Sequence, residues 1–157
     1  MAFGTVKVDS ITSSTQTLTV DNLLDSGDIG STVQAHDADT AKTDVAQTYT
    51  KAQRGTITTL TDAATITPDF SASNNYEIVL GGNRTLANPS NLTAGQSGSI
   101  FILQDGTGSR TLAFGSYWDF ASGTAPTLTT DASAVDRVDY IVRSTTSIHA
   151  VFTAAYS

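Results

Sequence analysis

Cysteine is absent from this 157-residue chain, which excludes disulfides, thiolate metal sites and thiol nucleophiles together and leaves the fold to stand on packing. Glutamate is nearly absent: Glu77 is the only one among fifteen acids. Basic residues number eight and are scattered singly from Lys7 to Arg143. With a net charge of −7, which repels a phosphate backbone, no nucleic-acid partner is expected. Long apolar runs are missing too. The longest, Ile100 to Leu103, falls far short of the roughly 20 residues that cross a bilayer, so no membrane insertion is expected. The opening MAFGTVKVDS has no apolar stretch of the kind a secretion signal carries, and export by that route is not expected.

What the chain has instead is hydroxyl side chains, 27 Thr and 17 Ser. Thr favours strands through its branched Cβ, and the usual helix formers are scarce, so the expected class is all-β. The length suits either a single domain around one core or a compact domain with an extended appendage, and excludes two large domains.

Three regions separate on pattern. Residues 1–30 hold two short alternating segments, GTVKVDSIT and TQTLTV, and read as an extended arm that needs something to lie on. Residues 31–54 begin with a capping-box pair, Ser31 and Gln34. Ala38, Ala41, Val45, Tyr49 and Ala52 then recur at spacings of three and four. This connector is either a short helix, with Val45 and Tyr49 as its interface residues, or a polar linker with one helical turn. Residues 55–157 alternate strand and turn signals at short intervals, from Ile57–Leu60 through Thr127–Thr129 to a hairpin of Arg137–Arg143 and Ser147–Thr153. The expected fold is an antiparallel β-sandwich or jelly-roll-like domain. Within it the letters RTLA occur twice, at Arg84–Ala87 and Arg110–Ala113, each after an apolar strand and a Gly-containing turn. Both copies read as the return strand of a hairpin, with Leu86 and Leu112 inward and Arg84 and Arg110 as candidate rim contacts.

Chemistry is sparse. DGTGS lacks the Lys-Ser or Lys-Thr of a phosphate loop, and Asp37, Asp39 and Asp44 lack the central Gly and late Glu of a calcium loop, so no cofactor or metal is expected. Only His36 and His149 could serve as imidazole bases, and no serine stands in a nucleophile elbow. Paired carboxylates for sugar hydrolysis would have to come from turn residues such as Asp105, Asp119 or Asp131. Enzymatic activity is not expected. One dense aromatic cluster, AFGSYWDF, offers Tyr117, Trp118 and Phe120 either as stacking surfaces for a sugar or as a plug for the core or a subunit interface. The plug is favoured because aromatic side chains are scarce and the core needs them. Two N-x-T triplets, at Asn83 and Asn91, read as chance.

The phrases TVQAHDADTAKTDVAQTYTKAQRG, LGGNRTLANPSNLTAGQSG and GSRTLAFGSYWDFASGTAPTLTTDASAVD, in that order, resemble tailed-bacteriophage virion proteins of the tail-fibre or particle-surface kind over roughly residues 31–157. The resemblance implies a particle-binding N-terminal part, a connector and a β-rich C-terminal domain, commonly trimeric. It names no catalytic residue. The expectation is a non-enzymatic virion protein made in the host cytoplasm, a homotrimer in contact with other capsid or tail proteins. Its C-terminal domain would stabilise the particle or attach to host-surface glycan. The competing class is a free carbohydrate-binding module, with a glycan-cleaving enzyme behind it.

Overall fold

The computed structural model of the chain describes residues 10–12, 17–19, 48 and 50–156. It divides into two compact units, Met1–Lys51 and Ala52–Ser157. In the first, β1 (Ser10–Thr12) and β2 (Thr17–Thr19) pair antiparallel, with Ile11 opposite Leu18. Val45 and Tyr49 of the expected connector helix lie outside the described residues, and the described end of the connector, residues 50–54, is not helical.

The second unit is built from arches. Strand β3 (Ile57–Thr59) lies in one sheet and β4 (Thr65–Ile66) in another. The chain then repeats the step with β5 (Asn75–Leu80) to β6 (Arg84–Leu86), and again with β7 (Ser97–Gln104) to β8 (Leu112–Phe114). Each strand pairs in parallel with its counterpart one rung along: β3 with β5, β5 with β7, β4 with β6 and β6 with β8. After the third arch come β9 (Trp118–Phe120), a 3-10 turn at Ala121–Gly123, and the long hairpin of β10 (Val135–Ser144) and β11 (Ser147–Tyr156). The hairpin joins antiparallel onto β7, and β9 closes the far edge parallel to β11, which gives sheets ordered β3-β5-β7-β10-β11-β9 and β4-β6-β8.

The all-β expectation of two packed sheets holds, and the pairing is mixed. The RTLA reading needs correction. Neither copy returns beside the strand that precedes it. Each crosses to the smaller sheet, where the copies pair with one another, Arg84 opposite Leu112 and Leu86 opposite Phe114. An arch and a hairpin look alike in sequence, an apolar strand, a Gly turn and a second strand, because they differ only in where the second strand finds its hydrogen bonds. Thr127–Thr129 is not a strand, whereas Trp118–Phe120 is one.

Strict alternation fills the core. Ile78 and Leu80 of β5, Ile100 and Ile102 of β7, Val138, Tyr140 and Val142 of β10, and Ile148 and Ala150 of β11 point inward, to meet Ile66, Leu86 and Leu112 from the smaller sheet. Full burial of such a side chain contributes about 1.5–3 kcal/mol. Packing is close enough to dictate one glycine: a Cβ on Gly98 would stand 1.6 Å from the Asn74 carbonyl oxygen. Another glycine is required by conformation, since Gly108 turns the third arch at φ 74° against the Thr130 carbonyl.

Candidate interaction surfaces

Each arginine of the echo is bound by an arch carboxylate. Arg84 forks Asp62 of the first arch, Nε to Oδ1 at 2.7 Å and Nη2 to Oδ2 at 2.6 Å. Arg110 donates from Nε and Nη2 to the same oxygen of Asp105, at 3.0 and 2.7 Å. The Arg110 guanidinium, with the N–H groups of Gly108 and Thr107, holds the Asp105 carboxyl down at about 2, and Arg84 likewise lowers Asp62. Asp105 also opposes the ionisation of Asp62, so the arches bring their charges to a common edge. The buried Gln104 finishes the third arch, donating to the Arg110 carbonyl at 3.0 Å and accepting from the Arg110 N–H at 2.8 Å. These arginines therefore brace turns. Asn83 accepts from the Thr111 N–H at 3.0 Å, and Asn91 donates to Asp69 at 2.8 Å, so both N-x-T asparagines also stitch loops.

The aromatic cluster separates into inner and outer members. Trp118 is 6% exposed and donates from Nε1 to the Ala87 carbonyl at 3.1 Å. Phe70 and Tyr140 meet it edge-on, both at 6.2 Å, and Phe114 at 6.1 Å. Phe70 itself stacks on Tyr140 at 4.6 Å and on Tyr76 at 5.7 Å. Both tyrosine hydroxyls are used: Tyr76 donates to the carbonyls of Asp69 and Ser73, and Tyr140 to that of Asn74 at 2.8 Å. Burial raises both phenols above their ordinary range. Phe70 and Tyr76, which join Trp118 in this group, carried no signal in the sequence beyond their apolar character. Tyr117 and Phe120 are half-buried against the same core.

Phe120 also borders a shallow hollow of about 510 Å³ on the outer side of β10, β11 and β9, shared by Asp119, Asp139, Ile141, His149 and Val151. Asp139 accepts from Ser99 Oγ at 2.6 Å and pairs with Arg137 at 2.8 Å, while Asp119 accepts from Ser147 Oγ at 2.7 Å. His149 is exposed, and its ring makes no hydrogen bond among the described residues. Among the described residues no cluster of three or more His, Asp or Glu could hold a metal ion.

One buried carboxylate remains. Asp136 is 1% exposed and accepts from the Thr129 N–H and hydroxyl, both at 2.8 Å, and from the Ala155 N–H at 2.9 Å. Three donors satisfy it without a cation, and it ties the loop before β10 to the end of β11.

A family model described as a phage tail fibre C-terminal domain matches residues 66–146, from the end of β4 to the turn between β10 and β11. No curated protein and no solved structure gives a significant match.

Proposed function

The chain belongs to the phage tail fibre C-terminal domain family, and from that premise we propose a trimeric, fibre-like virion protein that displays its arch-built β-domain at the particle surface. Membership makes it a tail-fibre structural component, located in the virion and associated with other virion proteins. In the proposed arrangement residues 1–30 anchor the subunit, residues 31–54 join three copies through Val45 and Tyr49, and residues 55–157 face outward to meet the host surface. Repetition about an axis multiplies weak contacts with surface glycan by avidity. Tyr117, Trp118 and Phe120 close one end of the core, and Arg84 and Arg110 keep the arches in shape.

The observation that supports this reading is the family match, which spans the second and third arches and the aromatic core. Imaging particles with an antibody against the β-domain tests it. Label on the tail is the expected outcome, and label absent from intact particles defeats the reading. Deleting residues 1–30 should abolish incorporation while leaving the β-domain folded.

A further inference from the structure

The outer face of the six-stranded sheet carries exposed apolar side chains. On this side β7 presents Phe101 and Leu103, and its parallel neighbour β5 presents Val79 beside Asn75 and Glu77. The five most exposed large apolar side chains among the described residues, Ile57, Val79, Ile141, Val151 and Tyr156, all stand on this one face, Val151 at 64%. Exposed apolar side chains scattered singly need no explanation, but a set gathered on one sheet face marks an interaction surface.

The end of β11 is built to enlarge it. Arg137 lies opposite Thr153, but Val135 lies opposite Tyr156, because a bulge inserts one residue between the two pairs. A regular ladder would set Ala155 opposite Val135 and turn Tyr156 to the other side. Instead Ala155 takes φ 60°, its N–H caught by buried Asp136, and Tyr156 joins Val79, Leu103 and Val135 in a row across four strands. A non-glycine residue held in left-handed backbone costs about 1–2 kcal/mol, and here it places an aromatic ring on an outer face, under the Arg137 guanidinium at 5.0 Å.

From these relations we propose that the outer face of the six-stranded sheet is where a second copy of this chain packs. The inference rests on the self-association proposed above and assigns it a surface in the β-domain. Size allows it. Six strands about 4.8 Å apart, with outward residues from Val135 to Arg143, span roughly 24 by 27 Å, or about 650 Å² in projection, against the roughly 800 Å² per partner of a stable interface. Charge selects a copy over other partners. In a chain of net charge −7, this face sets Arg137 and Arg143 among Glu77, Asp119 and Asp139 and is close to balanced. Arg143 has no ion pair among the described residues, and Glu77 and Asp119 are held only by the hydroxyls of Thr59 and Ser147. A second copy presents both signs to these groups, whereas a polyanionic or polycationic partner presents one.

The cysteine-free sequence permits a direct test on the full chain. Val151→Cys places one thiol on this face, and Ala113→Cys places one on the exposed side of β8 in the other sheet. At concentrations where sedimentation shows an assembly, the thiol at 151 should react with a maleimide at least about tenfold more slowly than the thiol at 113, because burial blocks access. The difference should vanish on dilution to monomer. Adding Ile141→Glu should restore fast reaction at high concentration with an unchanged circular dichroism spectrum. Equal rates in an assembled chain overturn the inference and leave a trimer joined at the connector intact. Slow reaction in the monomer overturns it as well, since the cover then belongs to the same chain. A chain monomeric throughout, with both thiols fast, removes this inference and the trimer together. Protection that comes only with added virion proteins or host polysaccharide overturns it in favour of that partner.

Discussion

The N–H of Arg84 donates to the carbonyl of Thr111 at 2.9 Å, so the first copy of the Arg-Thr-Leu echo is hydrogen-bonded to the second. A repeated phrase in the sequence thus becomes a ladder, with each copy supplying the other's strand partner. Both leucines of the phrase are buried, Leu86 completely and Leu112 at 7%.

Truncating these leucines should expose the difference between a middle rung and an outer one. Leu86→Ala sits between neighbours on both sides and should cost about 2–5 kcal/mol, a large part of the roughly 5–15 kcal/mol that holds a domain of this size. Leu112→Ala, in the edge strand of the same sheet, should cost less. Urea melts followed by circular dichroism measure both, and equal costs would contradict a stacked order with β6 in the centre.

Acid should loosen the third arch. The folded Asp105 carboxyl sits at about 2, below its ordinary 3.8, so its contribution to stability is complete above pH 4 and is lost as the pH falls through the folded value. Asp62 and Asp69 are shifted in the same direction, by Arg84 and by Asn91 with Ser71 respectively, and add to the slope. The melting temperature should fall between about pH 4 and pH 2, and less steeply in Arg110→Ala, which lacks the main source of the Asp105 shift. Parallel slopes for the two proteins would show that the pair does not form.

The parts legible in the sequence are those set by neighbours along the chain. Period-two alternation with a Ser-Thr turn identified the β10–β11 hairpin, whose register sets Tyr140 opposite Ala150. The echo itself was legible as a repeated unit. Its pairing was not, because the choice between hairpin and arch rests on bonds such as Arg84 to Thr111, 27 residues apart in number. Thr127–Thr129 has the composition of a strand, yet Thr129 spends its N–H and hydroxyl on Asp136, and the segment stays outside the sheets. The outer apolar face was half visible: apolar residues on both sides of YEIVL and IFIL can be read directly, but Tyr156 reaches that face only through a bulge.

Trp118 is the only tryptophan, which makes it a clean reporter of the aromatic core. With its indole N–H bonded to Ala87 and its edges covered by Phe70, Tyr140 and Phe114, its emission should be blue-shifted, resistant to aqueous quenchers, and unchanged by added host polysaccharide. Trp118→Ala should cost about 3–5 kcal/mol. Quenching by polysaccharide in the folded protein would instead make the indole part of a sugar site.

The bulge at the end of β11 gives a prediction whose sign opposes the ordinary rule. In a strand, Ala→Gly usually destabilises by about 0.5–1 kcal/mol, because glycine has more freedom to lose on folding. Ala150→Gly should follow that rule and exceed it, since Ala150 is buried between Ile148 and Phe152 positions on the inner side of β11. Ala155 differs: at φ 60° its Cβ crowds the following carbonyl oxygen, and removing it relieves roughly 1–2 kcal/mol of conformational strain. That relief outweighs the entropy, so Ala155→Gly should stabilise by about 0.5 kcal/mol, with the Asp136 contact to the N–H retained. Paired urea melts of the two variants carry the test. Destabilisation of similar size in both would mean that residue 155 follows the regular ladder, which would turn the Tyr156 ring away from the outer face.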